Sequence, residues 1–210
     1  MVLFASLDGL DRDFFEKRVQ CLPEEKQKWL IGVKNENAKR ETILAWLLLR
    51  RALGLRRSET FPPLAFSERG KPRFEKEHIF FNLSHSGNTV CAAISQYGEI
   101  GVDVQKISAF SDKVKKRVFC SNELERAGSL TDADSYFTCL WTIKESRLKQ
   151  NGVGIAFDLK SLDFADEAFK DYFKEDDLFY TVNKIDECFF SVCTKEEGKQ
   201  KFESVPAICL

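Results

Sequence analysis

Trp141-Thr142-Ile143-Lys144-Glu145-Ser146-Arg147-Leu148-Lys149-Gln150-Asn151-Gly152-Val153-Gly154 is the stretch on which the reading of this chain turns. Within and just before it, Tyr136, Phe137, Leu140, Trp141 and Leu148 recur at three- and four-residue steps, which predicts a helix with one apolar stripe. Asp132 or Asp134 caps its start, and Asn151-Gly152 stops it. Lys144 falls on that stripe between Leu140 and Leu148, where a plain core helix would carry another Leu, so its charge has to be paired. Glu145 and Lys149 share a helix face, and the spacing predicts that a carboxylate and the two ammonium groups of Lys144 and Lys149 converge on one flank. A solvated salt bridge with a snorkelling lysine is the plain alternative for any isolated pair of this kind.

The remaining sequence sets bounds on that choice. With 210 residues, 43% apolar content and 19 Phe, the chain is long and apolar enough for a packed core, in one large domain or two small ones. Lys and Arg number 32 against 33 acids, and a net charge of −1 gives no basis for a nucleic-acid or membrane partner. The seven Cys are scattered with no CxxC pair and only His78 and His85 beside them, which argues against zinc and for free thiols in a reducing cytoplasm. The first residues lack a basic leader and read as a strand, and the longest apolar run, 43–49, is too short to span a bilayer.

Along the chain, Pro23-Glu24-Glu25 opens a helix, with Lys26 and Lys28 following, and a second helix over 37–53 carries Arg40 near its start and ends at Gly54. Glu68-Arg69-Gly70-Lys71-Pro72 is a tight turn that holds Lys71 on a stiff loop. A strand over 79–83 breaks at Ser84-His85-Ser86-Gly87-Asn88 and resumes over 89–95. Another strand starts at Ile100-Gly101-Val102-Asp103-Val104-Gln105, with Val102 and Val104 on one face and Asp103 and Gln105 on the other. A basic helix over 112–117, a short helix capped by Ser121, and strands over 155–162, 178–185 and 188–193 complete the layout. Two α/β halves meeting near 99–103 are expected.

Asp103 and Glu145 are hard oxygen donors, and Gln105 offers a neutral carbonyl oxygen. Such a set suits a magnesium ion that keeps several waters and is completed by a substrate diphosphate. Lys28, Arg40, Lys71, His85 and Lys149 supply the opposite charge that a phosphorylated ligand needs. Each is unremarkable singly. A Ser-His-Asp hydrolase built from Ser84 or Ser86, His85 and Asp103 is the competing chemistry. It lacks a G-x-S-x-G elbow, and adjacent Ser and His on an extended chain point to opposite sides.

Gly70-Lys71-Pro72, Phe81-Asn82-Leu83-Ser84-His85-Ser86-Gly87, Ile100-Gly101-Val102-Asp103, and Trp141 to Ser146 with Lys149 and Gly152-x-Gly154 stand in the order and spacing of a known family. In these motifs the chain resembles the Sfp-type 4′-phosphopantetheinyl transferases. Pro23-Glu24-Glu25 through Arg40 is similar to that family's N-terminal section, and the stretch after about 164 matches only the expected strands.

The resemblance implies an α/β (α+β) monomer of two similar subdomains, 1–100 and 101–210, in a pseudo-twofold arrangement. Coenzyme A would lie in the cleft between them, with magnesium on its diphosphate. It implies transfer of 4′-phosphopantetheine to a serine of an apo acyl or peptidyl carrier protein in the cytoplasm. A non-catalytic coenzyme A or carrier-protein binding module is the alternative. By resemblance, Asp103 and Glu145 bind the metal, with Gln105 contributing directly or through water where relatives often carry an acid. Lys149 contacts the diphosphate; Lys28, Arg40, Lys71, Ser84 and His85 hold the nucleotide phosphates; and Pro72 lies beside the adenine. Glu145 is the implied general base, ahead of Asp103. Glu25 and Glu41 stand where some relatives place a Lys and a Thr that bind phosphate.

Overall fold

The computed structural model describes residues 1–56, 58–76, 78–152 and 158–210. Five strands fill most of the first half: β1 (Val2–Ser6), β2 (Leu64–Phe66), β3 (Pro72–Phe74), β4 (Phe80–Ser86) and β5 (Thr89–Ser95). Helices α1 (Arg12–Glu16), α2 (Glu24–Gly32) and α3 (Glu36–Ala52) lie between β1 and β2. Then come β6 (Ile100–Lys106), α4 (Asp112–Val118), α5 (Ser121–Ala127), α6 (Ala133–Asn151), β7 (Tyr172–Glu175), β8 (Leu178–Ile185), β9 (Cys188–Thr194) and β10 (Phe202–Ser204). One four-stranded sheet has the order β10-β1-β5-β4 and the other β6-β9-β8-β7, with β2 and β3 a separate hairpin. The architecture is mixed α/β, as expected. The C-terminal strand β10 pairs in parallel with β1, so the chain returns to the sheet where it began.

Each sheet carries one long helix. The middle of α3, from Ile43 to Leu49, is buried against the first sheet together with Leu3, Ala5, Phe81 and Val90. Helix α6 buries Tyr136, Phe137, Leu140, Ile143 and Leu148 against Tyr180, Val182, Phe189 and Cys193 of the second. A third apolar layer, built from Val2, Cys91, Ala93, Ile100, Val102, Val104, Phe190 and Val192, joins the two sheets. Removal of this apolar surface from water is the main force holding the halves together.

The edge strands β4 and β6 meet through side chains. Asn82 Oδ1, Ser84 Oγ and Ser86 Oγ accept hydrogen bonds from the backbone N–H groups of Val102, Val104 and Lys106, at 2.9, 3.3 and 3.0 Å. The period-two spacing of a strand puts the three acceptors on one side of β4. This corrects the expected break at Ser84. The polar residues stay inside the strand because β6 satisfies them, and the turn is confined to Gly87 (φ +57°) and Asn88.

Three further expectations are revised. Helix α6 is not a one-stripe helix: Ser135, Thr138, Thr142, Ser146 and Gln150 are buried beside the apolar set, because strands and the α5 segment enclose it. Asp132 is its cap, accepting from Ser135 N at 3.0 Å, and Gly152 (φ +69°) ends it. Cys120 rather than Ser121 occupies the cap position of α5, its N–H held by Glu123. Of the strand expected over 155–162, residues 155–157 lie outside the described residues, and Leu159–Ser161 form a single 3-10 turn capped by Asp158.

Gly101 fixes how closely α6 lies on β6. A Cβ placed there would sit 2.0 Å from Ser146 O and 2.3 Å from Gln150 N, both backbone atoms that cannot step aside. Gly101→Ala is therefore expected to push the helix off the strand and to destabilise the protein by about 1–3 kcal/mol or more, read as a lowered denaturation midpoint.

Candidate active site at the junction of β4, β6 and α6

Asp103 and Glu145 reach the same region from different elements. Asp103 is 5% exposed on β6. Its Oδ1 accepts from Lys149 Nζ at 2.6 Å and from Ser84 Oγ at 2.8 Å. Lys149 Nζ also donates to Ser84 Oγ at 2.8 Å. Strand β4 thus supplies the serine, strand β6 the acid and helix α6 the lysine. Asp103 Oδ2 is buried and has no hydrogen-bond partner among the described residues. A buried carboxylate oxygen left unsatisfied is costly unless something else meets it.

Glu145 is half-buried on α6. Burial pushes its pKa up and the nearby Asp103 carboxylate adds to this, opposed by Lys149. Burial works against the Lys149 ammonium, but its pairing with Asp103 and the proximity of Glu145 outweigh that and raise its pKa. Two acids and one lysine leave a net negative centre. Gln105 follows on the same face of β6 as Asp103, with Nε2 3.5 Å from Lys106 O.

Lys144 does not join this group. Its ammonium, 0% exposed, turns to the other side of α6, where it donates to Glu123 Oε2 at 2.6 Å and to the carbonyls of Val118 and Leu159 at 3.0 Å each. Pairing of the buried charge is as expected, but the convergence of two lysines on Glu145 is not found. Successive helix residues differ by about 100° in direction, which separates Lys144 from Glu145. Cys120, Glu123 and Asp163 place possible metal-ligating atoms within 4.8 Å of one another. Glu123 there is already engaged by Lys144, Cys120 N and Phe164 N, so the cluster reads as structural.

The other sequence-nominated residues are dispersed. Lys71 donates to Glu99, to Ile100 O at 3.2 Å and to Gln150 O at 2.9 Å, clamping the start of β6 to the end of α6. Pro72 opens β3 beside it. His85 points away from Ser84 and Asp103, its Nδ1 3.2 Å from Glu41 Oε2. Arg40 donates to Leu10 O at 2.6 Å and lies over the Phe15 ring, while Lys28 is exposed near Glu24. Sequence reasoning missed the positioning roles of Asn82 and Ser86, whose signal was their spacing of two around Ser84, and of Ser146, which meets Ser191 Oγ at 3.0 Å.

The fold and site define a two-sheet α/β protein with an acid-lysine centre where the sheets join. Residues 99–201 match the 4′-phosphopantetheinyl transferase superfamily. The chain is 34% identical over 143 residues to 4′-phosphopantetheinyl transferase AcpT of Salmonella typhimurium, covering 64% of this chain and 70% of that one. It is 32% identical over 157 residues to 4′-phosphopantetheinyl transferase gsp of Aneurinibacillus migulanus, covering 72% and 65% of the two chains. With 4′-phosphopantetheinyl transferase Sfp of Bacillus subtilis it shares 34% identity over 145 residues, covering 66% and 63%. The chain belongs to the 4′-phosphopantetheinyl transferase superfamily. It spans somewhat under two thirds of the length of gsp and Sfp. Among the described residues, no helix is long and apolar enough to cross a membrane.

Proposed function

We propose that this chain transfers 4′-phosphopantetheine from coenzyme A to a serine of an apo acyl or peptidyl carrier protein, releasing adenosine 3′,5′-bisphosphate. The observation that carries this reading is the buried Oδ2 of Asp103, without a hydrogen-bond partner among the described residues, near the Glu145 carboxyl with its raised pKa. The donor chemistry fits magnesium: two hard carboxylates, with Gln105 able to contribute an oxygen directly or through water. The metal, when bound, would neutralise charge on the coenzyme A diphosphate and polarise it toward attack.

The residues of this chain divide the remaining work. Asp103 is held in place by hydrogen bonds from Lys149 and Ser84, which suits it to the role of ligand. Glu145, with its carboxyl shifted toward neutrality, is the better general base for the carrier serine hydroxyl as that oxygen attacks the β-phosphorus. Lys149 offsets charge on the departing bisphosphate oxygen. Lys28, Arg40, Lys71 and His85 are assigned to the nucleotide end by the family resemblance.

The subdomain division 1–100 and 101–210, with pseudo-twofold symmetry, is part of the proposal; each sheet bearing one long helix supports it. So are a monomeric state and a cytoplasmic setting. The test is mass spectrometry of several apo carrier proteins incubated with the protein, coenzyme A and magnesium. A gain of one phosphopantetheine is expected. Coenzyme A binding without any gain on any carrier would point instead to the binding-module reading.

Gln105 offers a separate check on the metal. With one acid fewer on β6 than relatives often carry, magnesium binding is expected to be weak without coenzyme A and markedly stronger with it. Gln105→Glu is expected to tighten magnesium binding while transfer continues. Calorimetric titration of both proteins measures this, and tight binding by the unliganded wild type would contradict it.

A further inference from the structure

A cavity of about 790 Å³ lies between α1, α2 and the first turns of α3, and none of Ser84, Asp103, Glu145 or Lys149 lines it. Leu30 and Ile31 of α2 and Glu36, Arg40 and Ile43 of α3 stand at three- and four-residue steps, so one face of each helix forms the wall. Lys28 and Glu41, on neighbouring faces of the same helices, lie outside it. The apolar lining is Leu10, Phe15, Val19, Leu30, Ile31 and Ile43, with Ile31 86% exposed to water. The size and the apolar walls are those of a small-molecule site.

The charges in this cavity balance except at one residue. Arg12 pairs with Glu16 at 2.5 Å, Lys39 pairs with Glu36 at 2.7 Å, and Asp11 caps α1 by accepting from Phe14 N. Arg40 has no carboxylate partner among the described residues. One of its terminal nitrogens, Nη2, donates to Leu10 O at 2.6 Å, and the guanidinium lies over the Phe15 ring, 5.0 Å from its centre. Its Nε is buried with no hydrogen-bond partner among the described residues. A buried donor left unmet is costly, and so is a half-buried cation without a counter-charge. Water can meet the lone N–H but not the charge; a carboxylate meets both.

We propose that this cavity binds a small carboxylate with an unbranched apolar tail, of the fatty-acid type. Its headgroup pairs with Arg40, and its tail covers Phe15, Leu30, Ile31 and Ile43. The site is separate from the acid-lysine centre, so Arg40 serves a second ligand and not the nucleotide to which its position in the sequence assigned it.

Calorimetric titration of the full chain with octanoate, octanamide and butyrate tests this. Octanoate is expected to bind at one per chain with a Kd of about 1 mM or lower. Octanamide, which lacks the charge, and butyrate, which lacks four methylenes, are each expected to bind at least about tenfold more weakly. Arg40→Gln is expected to weaken octanoate about tenfold and to leave octanamide within about threefold of wild type, which loss of the fold would not do. Ile31→Glu and Ile31→Lys alter an exposed position, so they decide the matter even where Arg40→Gln does not fold. The acid is expected to weaken octanoate about fivefold relative to the lysine. Saturating coenzyme A is expected to leave octanoate binding unchanged. Absence of octanoate binding, equal binding of octanamide, or equal affinity in the two Ile31 variants overturns the proposal. Displacement of octanoate by coenzyme A also overturns it, because Arg40 would then belong to the nucleotide site.

Discussion

Glu145→Gln is expected to lower turnover by roughly a hundred- to ten-thousand-fold while leaving the fold intact. Both residues are good helix formers, and the helix is fixed by its cap at Asp132, its stop at Gly152 and its buried face. The loss is expected in kcat more than in coenzyme A binding, since the amide keeps one oxygen but cannot accept the serine proton. The direction of the carboxyl's shift adds a pH signature. Because burial and Asp103 raise the pKa of Glu145 above its ordinary value, the base is lost as pH falls through that raised pKa, so the acid limb of the rate profile should lie nearer neutrality than a free carboxylate's. Stability runs the other way. A folded-state pKa raised above the unfolded one favours the protonated form, so its stabilising contribution is present at low pH and lost as pH rises through the folded value. In the absence of metal, Glu145→Gln should then unfold no more readily than wild type at neutral pH. A variant with wild-type kcat and an unmoved acid limb would remove Glu145 from the proton transfer.

Lys144→Ala should be the most destabilising single change near the site, by about 3–5 kcal/mol, since it strands the Glu123 carboxylate in the interior. Three acceptors, Glu123 Oε2 and the carbonyls of Val118 and Leu159, surround the lysine nitrogen. Three donated hydrogens are those of an ammonium, and burial lowers its pKa while Glu123 holds the charge in place. Pairing Lys144→Met with Glu123→Gln should recover part of the loss, because neither an uncompensated charge nor a large void remains, and the neutral amide can still accept from Cys120 N or Phe164 N. Denaturant midpoints of the two single variants and the double variant measure the coupling. Additive effects would mean that the pair does not act as a unit.

What could be read from the sequence followed from local periodicity. The alternation in Val102-Asp103-Val104 put the acid on a different face from the core, and the three- and four-residue steps around Leu140 and Leu148 located the long helix. Partners remote in sequence were not legible. That Lys144 needed a counter-charge was evident from its neighbours, but nothing local singles out Glu123, and only the packing of α5 on α6 brings it inside. Ser84 read as a strand breaker because nothing local announces that another strand, twenty residues on, supplies donors for it. The Gly-Lys-Pro turn announced a stiff loop at Lys71. Its commitment to Glu99 and two carbonyls depends on where β6 begins and α6 ends, and no short window contains both.

The three side-chain links between β4 and β6 bear on solubility. Both strands sit at the border of their sheets, and a border strand with free N–H groups is a template for strands of other molecules. Asn82, Ser84 and Ser86 occupy the N–H groups of Val102, Val104 and Lys106, sheathing that border without extending the sheet. Asn82 and Ser86 therefore guard the protein against self-association as well as framing Asp103. Stripping them to Ala would free the N–H of Lys106, at the exposed end of β6, to pair with an intruding strand and would leave the buried N–H of Val102 without an acceptor, so aggregation of concentrated solutions is expected together with a lower melting temperature.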